Sequence, residues 1–294
     1  MAPMPGSGAL RLLAGVIFIH LLSAILARNG LSSMLFRKAS GRVIIVANVR
    51  LLHAKLKWRC EGFGHEGGRR SGNLEVRCCF IQQPYDLGCP MELLGWLRKG
   101  SGSQTNPIWP FAPYEFEFDY IAENLDPVAT LSGPWLVPSK TFNQVNSTQY
   151  DIILVPGAES RVVAEISPAI VNFVRNQNPG LKYLLSVCTG AWIVAKAGIL
   201  EGKSATTNKA AFKRIKASHN LLKIVTNINW VPKARWVVDG NIWTSSGVSA
   251  GGDMAHAFME HLVGDNFTTV ARNIVEWRAA EQGDDPFAEA WGLA

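Results

Sequence analysis

An apolar run, Leu181 to Val187, stops abruptly at Cys188, and a stretch of small residues, Thr189 to Ala197, follows at once and ends at Gly198. The run has the length of a buried strand, and the small residues fit a helix that packs closely behind it. Strand, sharp turn and helix with a nucleophile on the turn is an elbow geometry. It places one thiol at the C-terminal edge of a sheet and over a helix N-terminus. There the partial positive charge and the free N–H groups favour a thiolate. Gly190 and Ala191 are small enough for the helix to approach the sulfur from behind.

The charge balance divides the chain. Residues 1–72 hold 11 Lys and Arg against 2 Asp and Glu, whereas the remainder holds 18 against 21. The formal net charge of +6 therefore belongs to the first quarter, and the rest gives no reason to expect nucleic acid as a partner. The five cysteines are Cys60, Cys78, Cys79, Cys89 and Cys188, an odd number without a CxxC pair. Neither a disulfide framework nor a zinc knuckle is indicated, and a working thiol fits a reducing, cytoplasmic compartment.

Two regions are expected: an N-terminal extension over 1–73 and a catalytic-type domain over 74–294. The extension carries the apolar segment Leu12 to Ala27, 16 residues interrupted by His20, and a Gly/Arg-rich linker from Gly62 to Gly72. The apolar segment is short for a membrane span. It reads either as a targeting segment, the one route by which this chain would contact a membrane, or as a stretch foreign to the working domain. From Leu74 the pattern becomes that of an α/β domain. Glu75 to Ile81 reads as a first strand, followed by a helix with Pro90 in its first turn and Asp86 and Glu92 near its start. Gly100 to Pro113 is a loop, and Tyr114 to Tyr120 alternates as a strand. Val128 to Thr130 and Trp135 to Val137 form short strands around Gly133-Pro134. Ile152 to Val155 is apolar throughout, as in a central strand covered on both faces, and runs into Pro156-Gly157-Ala158. A helix over Pro168 to Gln177 precedes the elbow. Helices follow over Lys209 to Ser218, from Ser249 onward, and over about Thr268 to Glu281. Asp239-Gly240-Asn241 closes a hairpin between Arg235–Val238 and Ile242–Ser245. The order is that of a flavodoxin-like, doubly wound and mostly parallel sheet, whose sites lie beyond the C-terminal strand ends.

Three segments carry a resemblance: Ser186-Val187-Cys188-Thr189-Gly190-Ala191, Ala205-Thr206-Thr207-Asn208, and Asp239 to Gly247. Together they resemble the ThiJ/PfpI superfamily of glutamine-amidotransferase-like proteins, over about residues 74–288 and most strongly from Tyr150 onward. Within it, the elbow and the segment Ser245 to Met254 are most similar to isonitrile hydratases and their fungal relatives. The resemblance implies that Cys188 is the nucleophile. It also implies that the carboxyl of Asp86, four positions before Pro90, reaches the sulfur, and Glu92 is its rival. A carboxyl beside a thiolate and away from water would have a raised pKa and could donate a proton. Thr189 would offer its N–H to a developing anion and its hydroxyl to water or substrate. Gly157 and Ala158 would add backbone N–H groups for an oxyanion. Asn208 stands where many relatives carry His after the Ala-Thr-Thr triplet. Asn is no general base near neutral pH, so a Cys–His dyad, and with it peptide or glutamine hydrolysis, is unsupported.

The resemblance thus implies a cysteine-dependent hydro-lyase that adds water to an isonitrile to give an N-substituted formamide, in the secondary metabolism of isocyanides. Its partner is a small-molecule substrate, it needs no metal or organic cofactor, and it works as a homodimer. The alternatives are an enzyme acting on reactive carbonyls, like glyoxalase-type relatives, or a redox-sensing or chaperone-like protein. His256 and His261 lie five apart, which is not paired metal-ligand spacing on a helix. Asp253 reads as a helix-start acid, and Trp192, Trp236 and Trp243 read as core.

Overall fold

The computed structural model describes residues 73–79, 84–98, 114–222 and 227–293, with only the backbone described over 73–79 and 218–222. The apolar segment 12–27, the basic linker and the loop 100–113 lie outside the described residues. No helix among the described residues is long and apolar enough to cross a membrane.

In chain order the strands of the main sheet are β1 (Asn73–Cys79), β2 (Glu115–Ala122), β5 (Lys140–Thr141), β6 (Ile152–Val155), β7 (Tyr183–Ser186), β10 (Trp236–Asp239) and β11 (Ile242–Ser245). Two small two-stranded sheets are formed by β3 (Val128–Ala129) with β4 (Trp135–Leu136), and by β8 (Ser204–Ala205) with β9 (Asn229–Trp230). The helices are α1 (Pro84–Leu94), α2 (Ser160–Ala164), α3 (Pro168–Gln177), α4 (Gly190–Lys196), α5 (Phe212–Leu222), α6 (Val248–Val263), α7 (Asp265–Ile274) and α8 (Phe287–Ala290).

The main sheet runs β10-β11-β7-β6-β1-β2-β5. All pairings are parallel except β10 with β11, which form the Gly240 hairpin at one edge. This is the expected doubly wound α/β sheet. Its core is split in two by the pleat, because alternate side chains of one strand point to opposite faces. Ile153, Val155 and Leu184 pack with Val174 of α3 and Ile193 of α4 on one side. Ile152, Leu154, Leu185 and Val187 pack with Leu93 of α1 and with Met254 and Phe258 of α6 on the other. Every residue of β6 is buried, which is why the run Ile152–Val155 is apolar without alternation.

Several boundaries agree with the sequence reading and others do not. α3 spans Pro168–Gln177 as expected, with Ser167 accepting from the Ala169 N–H as its cap and Pro168 in the first turn. α1, by contrast, begins at Pro84 and holds Pro90 in its interior. Pro90 has no N–H, so the Asp86 carbonyl receives no bond from it. Pro84, not Pro90, is the proline of the first turn. The helix expected over Lys209–Ser218 begins three residues later, at Phe212. The last long helix ends at Ile274 rather than near Glu281, and just beyond it Glu276 takes φ 54°.

Three adjacent strands set up the site. β1, β6 and β7 lie side by side and parallel, so the turns after their C-terminal ends converge. They deliver Asp86, Gly157 and Cys188 to one place. α4 can start directly behind the sulfur only because its first residue is glycine: a Cβ on Gly190 would run into the Val155 carbonyl oxygen and lie 3.0 Å from that of Pro156. Backbone cannot yield there as a side-chain tip can. We expect Gly190→Ala to destabilise the domain by about 3 kcal/mol, the upper part of the range for overpacking. In a thermal melt this is a fall in Tm of roughly 6–12 °C. An unchanged melt would show that α4 is free to shift away from β6.

Candidate active site

Cys188 occupies the turn between β7 and α4 with φ 59°, a left-handed conformation that costs a non-glycine residue about 1 kcal/mol or more. Its backbone is held there from three directions. The Cys188 N–H donates to the carbonyls of Ser246, at 2.7 Å, and Ser245, at 3.2 Å. The Thr207 hydroxyl donates to the Cys188 carbonyl at 2.8 Å. Two segments singled out in the sequence, the Ala-Thr-Thr triplet and the stretch after β11, are thus the clamps of the elbow.

The side chain of Asp86, in the first turn of α1, is wholly buried. Its Oδ2 accepts from the Gly157 N–H at 3.1 Å, and its enclosed Oδ1 makes no hydrogen bond to the protein. The Cys188 thiol is its polar neighbour. Burial pushes the Asp86 carboxyl up to about 7, a rise only partly offset by the thiol and the Gly157 N–H. Glu92, the rival acid, is exposed on the far part of the same helix.

The thiol itself is 5% exposed. Burial above all, and then the charge on Asp86, raises its pKa. The Thr189 N–H and the Asn208 side chain act in the opposite direction. The helix N-terminus therefore does favour a thiolate, as its dipole requires, but desolvation outweighs it while Asp86 is charged. The two groups titrate as a pair in which a negative charge on one disfavours a charge on the other. A thiolate becomes affordable when Asp86 holds the proton. It then has three donors around it: the carboxyl, the Thr189 N–H and the Asn208 amide. Asn208 is fixed for this task, since its Oδ1 accepts from the Ala211 N–H at 3.2 Å and leaves the amide nitrogen for the sulfur.

Gly157 and Ala158 are at the site, but their N–H groups are not free. That of Gly157 is given to Asp86, and that of Ala158 is given to the Thr189 hydroxyl at 2.9 Å. The same hydroxyl donates to the Ala158 carbonyl at 2.6 Å. This corrects the expectation of two open oxyanion donors and of a hydroxyl aimed at substrate. These groups hold the acid and the elbow in register. Gly157 has no alternative residue, because a Cβ there would lie 2.6 Å from Asp86 Oδ2, 2.7 Å from Thr189 Oγ1 and 2.9 Å from Cys188 Cβ.

A family model of the DJ-1/PfpI family matches residues 104–261, more than half of the chain and the part that contains the elbow. The chain belongs to the DJ-1/PfpI family. Among the family's characterised members it is 32% identical to an isonitrile hydratase of Pseudomonas putida over 163 residues, 55% of this chain and 66% of that protein. It is 32% identical to a deglycase of Pyrococcus horikoshii over 110 residues, 37% of this chain and 60% of that protein. The matched part thus spans a little under two thirds of each relative's length. The crystal structure of a ThiJ/PfpI family protein from Pseudomonas syringae superposes with a TM-score of 0.55 at 21% identity, covering 75% of this chain and 84% of that one. That likeness supports the flavodoxin-type fold of the family.

Sequence reasoning missed Cys89, which lies one turn after Asp86, half-buried, with its thiol pushed up by burial and by the Asp86 charge. It also misjudged Asp253. This residue is not at a helix start but inside α6, buried, paired with Arg235 and accepting from the Trp277 indole at 3.1 Å.

The raised carboxyl has a stability consequence. A folded-state pKa of about 7 against an ordinary value of 3.8 means that the folded chain binds this proton more tightly than the unfolded chain does. Stability contributed by the neutral acid is therefore present below about pH 4 and lost as pH rises to about 7, by on the order of 4 kcal/mol at most. Urea unfolding between pH 4 and 8 should show this fall in the protein and a flatter profile in Asp86→Asn. Parallel profiles would mean that Asp86 is not the titrating group.

Proposed function

We propose that the protein is an isonitrile hydratase-like enzyme, a cysteine-dependent hydro-lyase on a small uncharged substrate. The observation that carries this reading is the pairing of a buried thiol with a buried, proton-holding carboxyl and an amide, with no imidazole among the thiol's partners in the described residues. The similarity to an isonitrile hydratase supports it.

In the proposed reaction Asp86 holds the proton and Cys188 is the thiolate. Sulfur attacks the terminal carbon of R–N≡C, and the Asp86 proton passes to that carbon. The product of this step is the thioimidate R–N=CH–S–Cys188, with Asp86 left as carboxylate. Asp86 next takes a proton from water as the hydroxyl adds to the same carbon, and passes that proton to nitrogen. The adduct R–NH–CH(OH)–S–Cys188 collapses: the C–S bond breaks, Cys188 leaves as thiolate, and the hydroxyl proton returns to Asp86. The formamide R–NH–CHO departs and the starting protonation state is restored. The Thr189 N–H and the Asn208 amide hold the sulfur as it gains and loses charge. One carboxyl serves as acid and base in turn, which a pKa near neutrality suits.

Similarity to a deglycase keeps reactive carbonyls as the second substrate class, and one experiment separates the two. Purified protein is incubated with an aryl isonitrile and, separately, with methylglyoxal, and the products are identified. Formation of the aryl formamide, lost at least about 1,000-fold in Cys188→Ala and about 100- to 10,000-fold in Asp86→Asn, is the expected result. Because the working form holds a single proton between Asp86 and Cys188, and the pair gives up its first proton near pH 7, kcat/KM should rise as pH increases through about 7. Consumption of methylglyoxal with no formamide, or full activity in Cys188→Ala, would overturn the proposal.

A further inference from the structure

A cavity of about 450 Å³ adjoins the site, lined in part by Asn208, Cys89, Val248, Ala250, Phe287 and Trp291. Asn208 touches the Cys188 thiol, and Ser246, whose carbonyl holds the Cys188 N–H, is also part of the wall. Phe287 and Trp291 flank the short helix α8 and are 51% and 52% exposed, so neither supports the core. Large aromatic side chains left half in water beside a reactive centre have no packing reason to be there.

Two cations, Lys209 and Arg235, also border the cavity, yet neither offers it a charge. Lys209 Nζ is spent on Asp285 at 3.1 Å, the Thr206 hydroxyl at 2.8 Å and the Ala234 carbonyl at 2.9 Å, in a pair that is almost fully buried. Arg235 is spent on Asp253 and on the Ser249 hydroxyl. An anionic group entering the cavity would lose its hydration and find both bordering cations already paired, with only the backbone N–H groups at the start of α6 to replace them. An uncharged apolar group would lose nothing and cover Phe287 and Trp291.

The geometry points to Phe287 and Trp291 as substrate-contacting specificity residues that receive the uncharged aryl or bulky alkyl substituent of the substrate, while its reactive carbon lies at Cys188. The inference rests on Cys188 being the reacting centre. Lys209 directly follows Asn208 and Asp285 lies two residues before Phe287, so their ion pair anchors both ends of this wall to the same point of the fold.

Binding to the Cys188→Ala protein tests the subsite without turnover. N-phenylformamide and N-methylformamide are titrated and their Kd values read by ligand-observed NMR. The phenyl compound should bind at least tenfold more tightly. Adding Phe287→Ala and Trp291→Ala should reduce that preference to below about twofold, with Trp291→Ala alone, on a half-exposed side chain, already reducing it about threefold. A carboxylate at the para position of the ring should weaken binding at least tenfold. Equal or undetectable binding of the two formamides, a preference that survives in the aromatic variants, or a gain from the carboxylate would overturn the inference. A phenyl preference in a protein that fails to hydrate aryl isonitriles would support the subsite and overturn the proposed reaction instead.

Discussion

The site depends on one carboxyl group taken fully out of water. Ionised and without a cation beside it, a buried carboxylate costs several kcal/mol, whereas protonation at neutral pH costs on the order of 4 kcal/mol for a group whose ordinary pKa is 3.8. The two alternatives are close, so Asp86 is poised rather than fixed in one state. Two hydrogen bonds, from the Cys188 thiol and the Gly157 N–H, stand against complete neutralisation. A further backbone donor would tip the group towards the ionised state. An apolar surrounding without these bonds would hold it neutral. The strained elbow and the spacing of β1, β6 and β7 bring Cys188 to this carboxyl, and the glycines at 157 and 190 let backbone approach where no Cβ would fit. Each of these features would be a cost with nothing gained if the carboxyl were in solvent.

How far the sequence discloses such a site follows from which forces are local. The elbow is readable because a strand, a nucleophile and a small-residue helix follow one another without a gap. α3 is readable to the residue because Ser167, Pro168 and the apolar spacing all report the same helix. β6 is readable because a strand covered on both faces must be apolar throughout. The reach of Asp86 to Cys188 is not readable in this way, because 102 positions separate them and only the sheet order joins them. It was accessible through resemblance alone. The positions of Pro84 and Pro90 show the ambiguity of a local signal: either fits a first turn, and packing of α1 against α6 decides. β5 and β9, two residues each, are too short to carry any periodicity.

The fate of the Gly157 and Ala158 N–H groups shows a different kind of illegibility. Their placement beside the nucleophile follows from the turn after β6, but what they donate to is settled by side chains from two other elements. Asp86 and Thr189 take both. The consequence is mechanistic. A site with two spare N–H groups is prepared for the oxyanion of a tetrahedral acyl intermediate. A site that has given them to its own acid and to the hydroxyl of its elbow is prepared for a charge on sulfur.

Asn208 bears on the same point. Hydrolysis of an amide by a cysteine needs a group that takes the thiol proton and returns it to a leaving amine, and an imidazole does this because both of its forms persist near neutral pH. An amide side chain does neither. With its Oδ1 committed to the Ala211 N–H, Asn208 only donates, and among the described residues that touch the thiol the group able to carry a proton is Asp86. Addition to a carbon that is already electrophilic requires no more than this. No leaving amine has to be protonated, the only group expelled is the thiolate, and the acid that gives a proton to carbon is in place to recover one from water. A single poised carboxyl beside a thiol is therefore a sufficient apparatus for hydration and an insufficient one for peptide cleavage.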